Sequence, residues 1–293
     1  MSSAPMLLAV PNVSEGADRA VLDRLVDATR PARLLDLHSD PDHGRSVLTL
    51  AAPQGRLAPA LVRLARAAAE LIDVTAHAGI HPHVGALDVA PVVHLDDATR
   101  GAAVAEALTA AALIGEEGIP VLLYGALATS PAAVERAAIR AGGPAGLADR
   151  IRAGQVTPDY GPPRALHPTA GATLVTARPP LIAFNVDLVT DDVAVARRIA
   201  ARLRESGGGP PGVRAIGLAL PSRGRAQVSF NVHDHRAAPL RDLVAAVRQE
   251  AEVAEAELVG LAPAAAFEGF PADVPLRAFD SGRHLIENAL RSQ

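Results

Sequence analysis

The order of apolar periods constrains this chain most: strand-like and helical runs follow one another as βαββαβ, and the same order recurs in the second half. MLLAVPNV is strand-like, and ADRAVLDRLVDAT carries Val21, Leu22, Leu25 and Val26 on one helical face. RLLDLH and SVLTLAA follow as strands across the turn-rich SDPDHGR, LAPALVRLARAAAELID is an amphipathic helix, and ALDVAPVVHL closes the series as a strand. A middle region brings an Ala-rich helix from about Asp97 to Glu117, the strand PVLLYG, a short helix near Pro131 to Arg140, and a Gly/Pro-rich segment from Gly142 to Gly171. The second series runs LIAFNVDLV, DDVAVARRIAARLRE, VRAIGLAL, RAQVSFNV, PLRDLVAAVRQEAEVAEA and ELVGLAP. Two split βαβ units in tandem predict an α+β protein of duplicated ferredoxin-like halves, residues 1–177 and 178–293. LIAFNVDLV and ALDVAPVV have too little helical sequence beside them to cover both faces. The halves are therefore expected to pack sheet to sheet, leaving a cleft for a small molecule.

Composition narrows the chemistry. Hydrophobic residues make up 49% of the 293 positions, but aromatics only 2%, so an aliphatic core is expected and stacking platforms for bases are not. The net charge of −4 is scattered along the chain, which disfavours nucleic acid as a partner. All 28 basic residues are Arg, which excludes Schiff-base chemistry and a P-loop lysine. The absence of Cys excludes thiolate catalysis and Cys-based zinc sites. The N-terminus has no positive n-region and no stretch approaches the ~20 apolar residues of a membrane span, so a cytoplasmic protein with no membrane partner is expected.

The densest chemistry lies in HAGIHPHVGALD, His77 to Asp88. Pro82 removes a backbone donor and biases His81 toward extended geometry, so His77, His81 and His83 sit on a turn between a helix and a strand. An imidazole exchanges protons near neutral pH, which makes general acid/base work the first reading; backbone hydrogen bonding by turn histidines is the plainer one. A third is a metal-dependent hydrolase, in which His38, Asp40, Asp42 and His43 on one turn meet the three histidines on the other.

The stretches VPNVSEG, DHGRSVLTL, LIDVTAHAGIHPHVGALDVAPVV, PVLLYG, PDYGPP, GATLVTARPPLIAFNVDL, AQVSFNV and ELVGLAP resemble, in order and over nearly the whole chain, the formiminotransferase family. That family comprises the formiminotransferase domain of formiminotransferase-cyclodeaminase and the stand-alone bacterial glutamate formiminotransferases. The resemblance implies a duplicated ferredoxin-like fold and a homodimer. It also implies formimino transfer from N-formiminoglutamate to N5 of tetrahydrofolate, the co-substrate, in histidine degradation and one-carbon metabolism, with no metal. It places the catalytic histidine at His81, and substrate contacts at Arg45, His83, Asn12 and Glu15, with Ser14 beside them. The folate stretch falls on Gly161, Pro162, Pro163, Arg164, His167 and Gly171. Around the histidine the chain departs from the family pattern with Ala76, Ala78, Ile80 and His83; Gly44, Ala126 and Ala170 are further departures. A non-catalytic folate or small-ligand binding protein on the same fold is the alternative those departures keep open.

Overall fold

A computed structural model describes residues 4–292. The chain forms two compact units that divide between Pro179 and Pro180.

The first unit contains β1 (Met6–Ala9), β2 (Asn12–Val13), α1 (Arg19–Ala28), β3 (Arg33–Asp40), β4 (Arg45–Pro53), α2 (Leu57–Leu71), β5 (Leu87–Val93), α3 (Arg100–Glu116), β6 (Val121–Leu123), α4 (Arg136–Arg140), α5 (Gly143–Arg152) and β7 (Thr173–Arg178). Its sheet runs β3, β4, then β1 and β2 in one line, then β5, β7 and β6. The first strands pair antiparallel, whereas β5, β7 and β6 are parallel. MLLAVPNV is therefore one line broken in two. Pro11 has no N–H for the ladder, and its carbonyl instead accepts Leu48 N at 3.0 Å.

Helices α1, α2 and α3 bury Leu22, Leu25, Leu61, Leu64, Ala107 and Ile114 against one face of this sheet. The other face, expected to lack helical cover, is covered within the unit: Val89, Leu122 and Leu174 pack against Ile139, Leu147 and Ile151 of α4 and α5. Helix α5 lies in the segment read as Gly/Pro-rich. Gly142 and Gly143 adopt positive φ at its start, Pro sits in the first turn, and Leu147 and Ile151, four apart, form its buried stripe. The helix expected over Pro131 to Arg140 is a 3₁₀ turn, Pro131–Ala133, followed by α4.

The second unit contains β8 (Ile182–Leu188), α6 (Val193–Leu203), β9 (Val213–Leu220), β10 (Arg225–Val232), α7 (Leu240–Arg248) and β11 (Val253–Val259), with two short helices near the C-terminus. Its four strands are antiparallel in the order β11, β8, β10, β9. In LIAFNVDLV the strand period puts Phe184, Val186 and Leu188 in the core with α6 and α7. Asn185 and Asp187, on the opposite side, are buried in a polar network. Asn185 donates to Glu257 at 3.0 Å, Gln227 donates to Asp187 at 2.7 Å, and Arg223 and Arg277 pair with Asp187 and Glu257. This face is thus polar rather than apolar.

The core is less purely aliphatic than composition suggested. All five phenylalanines lie in the second unit, where Phe184 and Phe230 are fully buried, Phe267 and Phe270 continue edge-to-face from Phe184, and Phe279 packs tilted on Phe267. Burying each such ring contributes roughly 1.5–3 kcal/mol.

Candidate active site

After α2 the chain enters a 3₁₀ turn, Val74–Ala76, capped by the Asp73 carboxylate on Thr75 N. It then runs extended beside the turn joining β3 to β4: Ile80 N donates to Asp42 O at 3.2 Å and His81 N to His43 O at 3.3 Å. Two glycines allow this approach. A Cβ on Gly79 would lie 2.4 Å from the His43 carbonyl oxygen and 2.7 Å from the Gly44 Cα, and Gly44 itself has φ +64°. Beyond His81 the loop is tied to the segment before β7. Ala172 N donates to Val84 O and Ala86 N to Ala170 O, and a Cβ on Gly171 would lie 2.1 Å from Val84 O. Asp88, buried at the start of β5, accepts Val84 N at 2.8 Å through one carboxylate oxygen and pairs with Arg140 of α4 through the other.

These ties leave the His81 ring buried, with its Nε2 2.7 Å from Nη1 of Arg45. The same Nη1 is 3.5 Å from Nδ1, so the guanidinium lies beside the ring, where its charge disfavours a protonated imidazole. Burial, and then repulsion from Arg45, Arg140, His43 and Arg136, hold His81 well below the usual histidine range. Burial and the neighbouring Arg140 and Arg136 lower Arg45 to about 10, with Asp88 and Asp40 acting in the opposite direction. Arg178, at the end of β7, is likewise lowered by burial to about 10 and hydrogen-bonds Tyr124, over whose ring the Arg136 guanidinium lies at 5.7 Å. Three guanidiniums, of Arg45, Arg140 and Arg136, thus bear on a neutral imidazole, and the Arg140 Nε is buried without an acceptor. Such a site suits an anionic, carboxylate-bearing molecule beside a proton acceptor.

The structure brings the expected Arg45 and His81 together and gives the other expected residues different surroundings. His83 stacks edge-on against His77 at 4.2 Å, and its Nε2 is buried without a partner. Burial and His83 together lower His77 below its ordinary value. Asn12 is buried on β2 and donates to Val10 O at 3.0 Å. Glu15 caps the turn before α1, accepting Ala17 N and Asp18 N at 2.7 and 2.9 Å, and Ser14 Oγ donates to Gly85 O.

In the expected folate stretch, Gly161, Pro163 and Arg164 are exposed and Pro162 is half-buried. Gly161, at φ +78°, approaches Gly115 of α3. His167 accepts Ala170 N at 3.0 Å and closes a tight hairpin with Gly171. His38 stands on β3 rather than on the turn, a correction to the metal reading. Among the described residues no group of three or more His, Asp or Glu is placed to hold a metal ion. No described helix is long and apolar enough to cross a membrane.

Sequence reasoning missed Arg136, Arg140, Arg178, Tyr124 and Asp88 as parts of the site. One signal was present: Arg136 and Arg140 are four apart on a short helix, hence on one face.

Comparison with known proteins fits this arrangement. Residues 6–178 match the model of the formiminotransferase domain, N-terminal subdomain, and residues 183–269 that of the formiminotransferase domain. The glutamate formimidoyltransferase of Streptococcus pyogenes serotype M1 is 38% identical over 297 residues, covering 98% of this chain and 99% of its own. That of Thermoplasma acidophilum is 37% identical, with 87% of each chain covered. The formimidoyltransferase-cyclodeaminase of Mus musculus is 36% identical over 87% of this chain but only 49% of its own length. With both domain models matched in order and a relative aligned nearly end to end, the chain belongs to the formiminotransferase family.

Proposed function

We infer that this chain is a glutamate formimidoyltransferase, transferring the formimino group of N-formiminoglutamate to N5 of tetrahydrofolate in histidine degradation and one-carbon metabolism. The observation that carries the reading is the neutral His81 imidazole held among guanidiniums, at the position the family resemblance gives the catalytic histidine. The donor brings two carboxylates, which Arg45, Arg136 and Arg140 suit. The N5 lone pair attacks the amidine carbon, and the His81 imidazole takes the N5 proton as the tetrahedral adduct forms. The same proton then passes to the glutamate nitrogen as its bond to that carbon breaks, leaving 5-formiminotetrahydrofolate and glutamate. One imidazole therefore serves as base and then as acid.

The finer architecture belongs to the same reading. In each unit the βαββαβ strands lie in the spatial order second, third, first, fourth, which supports a duplicated ferredoxin-like chain with β7 and β6 added to the first copy. The folate contacts are assigned to Gly161, Pro162, Pro163, Arg164, His167 and Gly171, and donor contacts beyond Arg45 to His83, Asn12 and Glu15, on the strength of the resemblance. A cytoplasmic homodimer is the expected assembly on the same ground.

The test is to mix the protein with tetrahydrofolate and N-formiminoglutamate and follow 5-formiminotetrahydrofolate spectroscopically. Formation of that product at a rate proportional to protein supports the reading. Folate binding without product would instead identify a binding protein.

A further inference from the structure

We propose that Arg178, braced by Tyr124, is the subsite for the glutamyl carboxylates of the folate co-substrate, set apart from the cations that bear on His81. The proposal rests on the transferase reading and names what holds the far end of its co-substrate.

The subsite is built at the carboxyl ends of two parallel strands. Tyr124 directly follows β6, where its N–H donates to Val175 O at 3.0 Å and its carbonyl accepts Thr176 Oγ at 2.7 Å, so the residue is fixed beside β7. Arg178 ends β7 and hydrogen-bonds the Tyr124 side chain. Its Nη1 donates to Pro179 O at 3.0 Å. A guanidinium carries five donors, so further N–H groups remain for a ligand. Both Arg178 and Arg136, which lies over the Tyr124 ring, are half-buried rather than sealed in.

Charge points to an anion. Among the described residues Arg178 has no carboxylate partner, in contrast to Arg140, whose charge is met by Asp88. A half-buried cation left without a counter-charge costs free energy, and a bound carboxylate offsets that cost with paired, charge-assisted bonds. Burial and the nearby Arg136 lower Arg178, with Tyr124 opposing them, as such an arrangement requires.

Reach decides which carboxylate. At the start of β7 the Thr173 hydroxyl donates to Leu87 O, beside Asp88 and the histidine loop. Arg178 closes the same strand roughly 17 Å further on. Its side chain can reach back by about 7 Å, which leaves about 10 Å to cover. N-formiminoglutamate spans only about 6 Å from its formimino carbon to its farther carboxylate, so a donor reacting at His81 falls short. Tetrahydrofolate spans about 15 Å from N5 to its glutamyl carboxylates and bridges the gap. The stretch assigned to folate begins beside the same strands: Tyr160, just before it, pairs with Val121 of β6, and Asp159 accepts Leu123 N at 2.7 Å.

The test compares tetrahydrofolate with tetrahydropteroate, which lacks the glutamate, by calorimetry on the full chain. Wild type should bind tetrahydrofolate about ten- to hundredfold tighter, the scale of a charge-assisted contact. Arg178→Gln, shown folded by circular dichroism, should lose that preference. Arg178→Lys keeps the charge without the paired donors and should lower the preference at least threefold, which carries the test where the glutamine variant does not fold. Steady-state kinetics separates the two sources of a glutamyl group, because the loss should fall on KM for tetrahydrofolate.

Wild type indifferent to the missing glutamate, or an undiminished preference in the folded variants, would overturn the subsite. A larger rise in KM for N-formiminoglutamate than for tetrahydrofolate would give Arg178 to the donor and overturn it too. Turnover with indifferent binding defeats the subsite alone. A preference removed by Arg178→Gln in a protein without turnover defeats the transferase reading and leaves the subsite standing.

Discussion

Replacing Asp88 with Asn asks whether the buried ion pair with Arg140 holds the site's outer layer in place. The substitution is nearly isosteric and keeps an oxygen for Val84 N, so it isolates the charge. Both partners are buried, with side-chain exposures of 2% for Asp88 and 9% for Arg140. Removing one member of such a pair costs about 3–5 kcal/mol, because the survivor remains as an uncompensated buried charge. Here the survivor also faces Arg136 and Arg45. For a unit of this size each kcal/mol lowers Tm by about 2–4 °C, so the first unit should melt roughly 6–20 °C earlier.

The assay can observe that unit alone. Tyr124 and Tyr160, the chain's two tyrosines, both lie in it and there is no Trp, so tyrosine emission reports its unfolding even where the two units melt separately. The double variant Asp88→Asn/Arg140→Gln removes both charges and should recover at least half of the lost stability. A shift under ~3 °C for Asp88→Asn, or a double variant no more stable than the single, would refute the assignment of this energy to the charge pair.

Three further outcomes are expected. His81→Ala should slow the transfer step by ~10²–10⁴ in single-turnover kinetics while leaving the fold intact; an unchanged rate would remove His81 from the mechanism. Because His81 titrates lower in the folded chain than in the unfolded one, the unfolded state binds more protons between the two values. Stability from this group is therefore fully present above about pH 6.5 and lost as pH falls below it, and His81→Gln should flatten that decline in urea unfolding. Glu106, buried on α3, accepts Gly55 N and Ala58 N at 2.6 and 2.7 Å at the start of α2. Glu106→Ala strands both donors and should cost about 2–4 kcal/mol by chemical denaturation.

What could be read from the chain, and what could not, follows from which signals are local. The alternation of LIAFNVDLV and the helical stripe of LAPALVRLARAAAELID report their own environments, and both elements form where their periods place them. Helix α5 was hidden because Gly142, Gly143 and Pro dominate its start, and only Leu147 and Ile151 carry its stripe. In the site, His81 was legible because Pro82 and two other histidines mark its loop. Its arginine neighbours were not. In a chain whose 28 cations are all Arg, no single arginine stands out, and burial of Arg140 and Arg178 depends on contacts made across the sheet. The polar face of β8 was missed for a similar reason: Asn185 and Asp187 were in plain view, but their partners Glu257 and Gln227 are on other strands.

The backbone contacts at Gly44 and Gly79, and at Gly85 and Gly171, make the histidine loop a part with no clearance at its two joints. Between those joints the exposed Ile80 is free to vary, as Ala78 is just before the first of them, so both can be exchanged to alter selectivity without re-aiming His81. At the joints a single added carbon has nowhere to go and becomes displacement of the ring itself. In laboratory evolution of this scaffold, productive diversity should therefore accumulate at the positions flanking His81, and the four glycines should come through every round untouched.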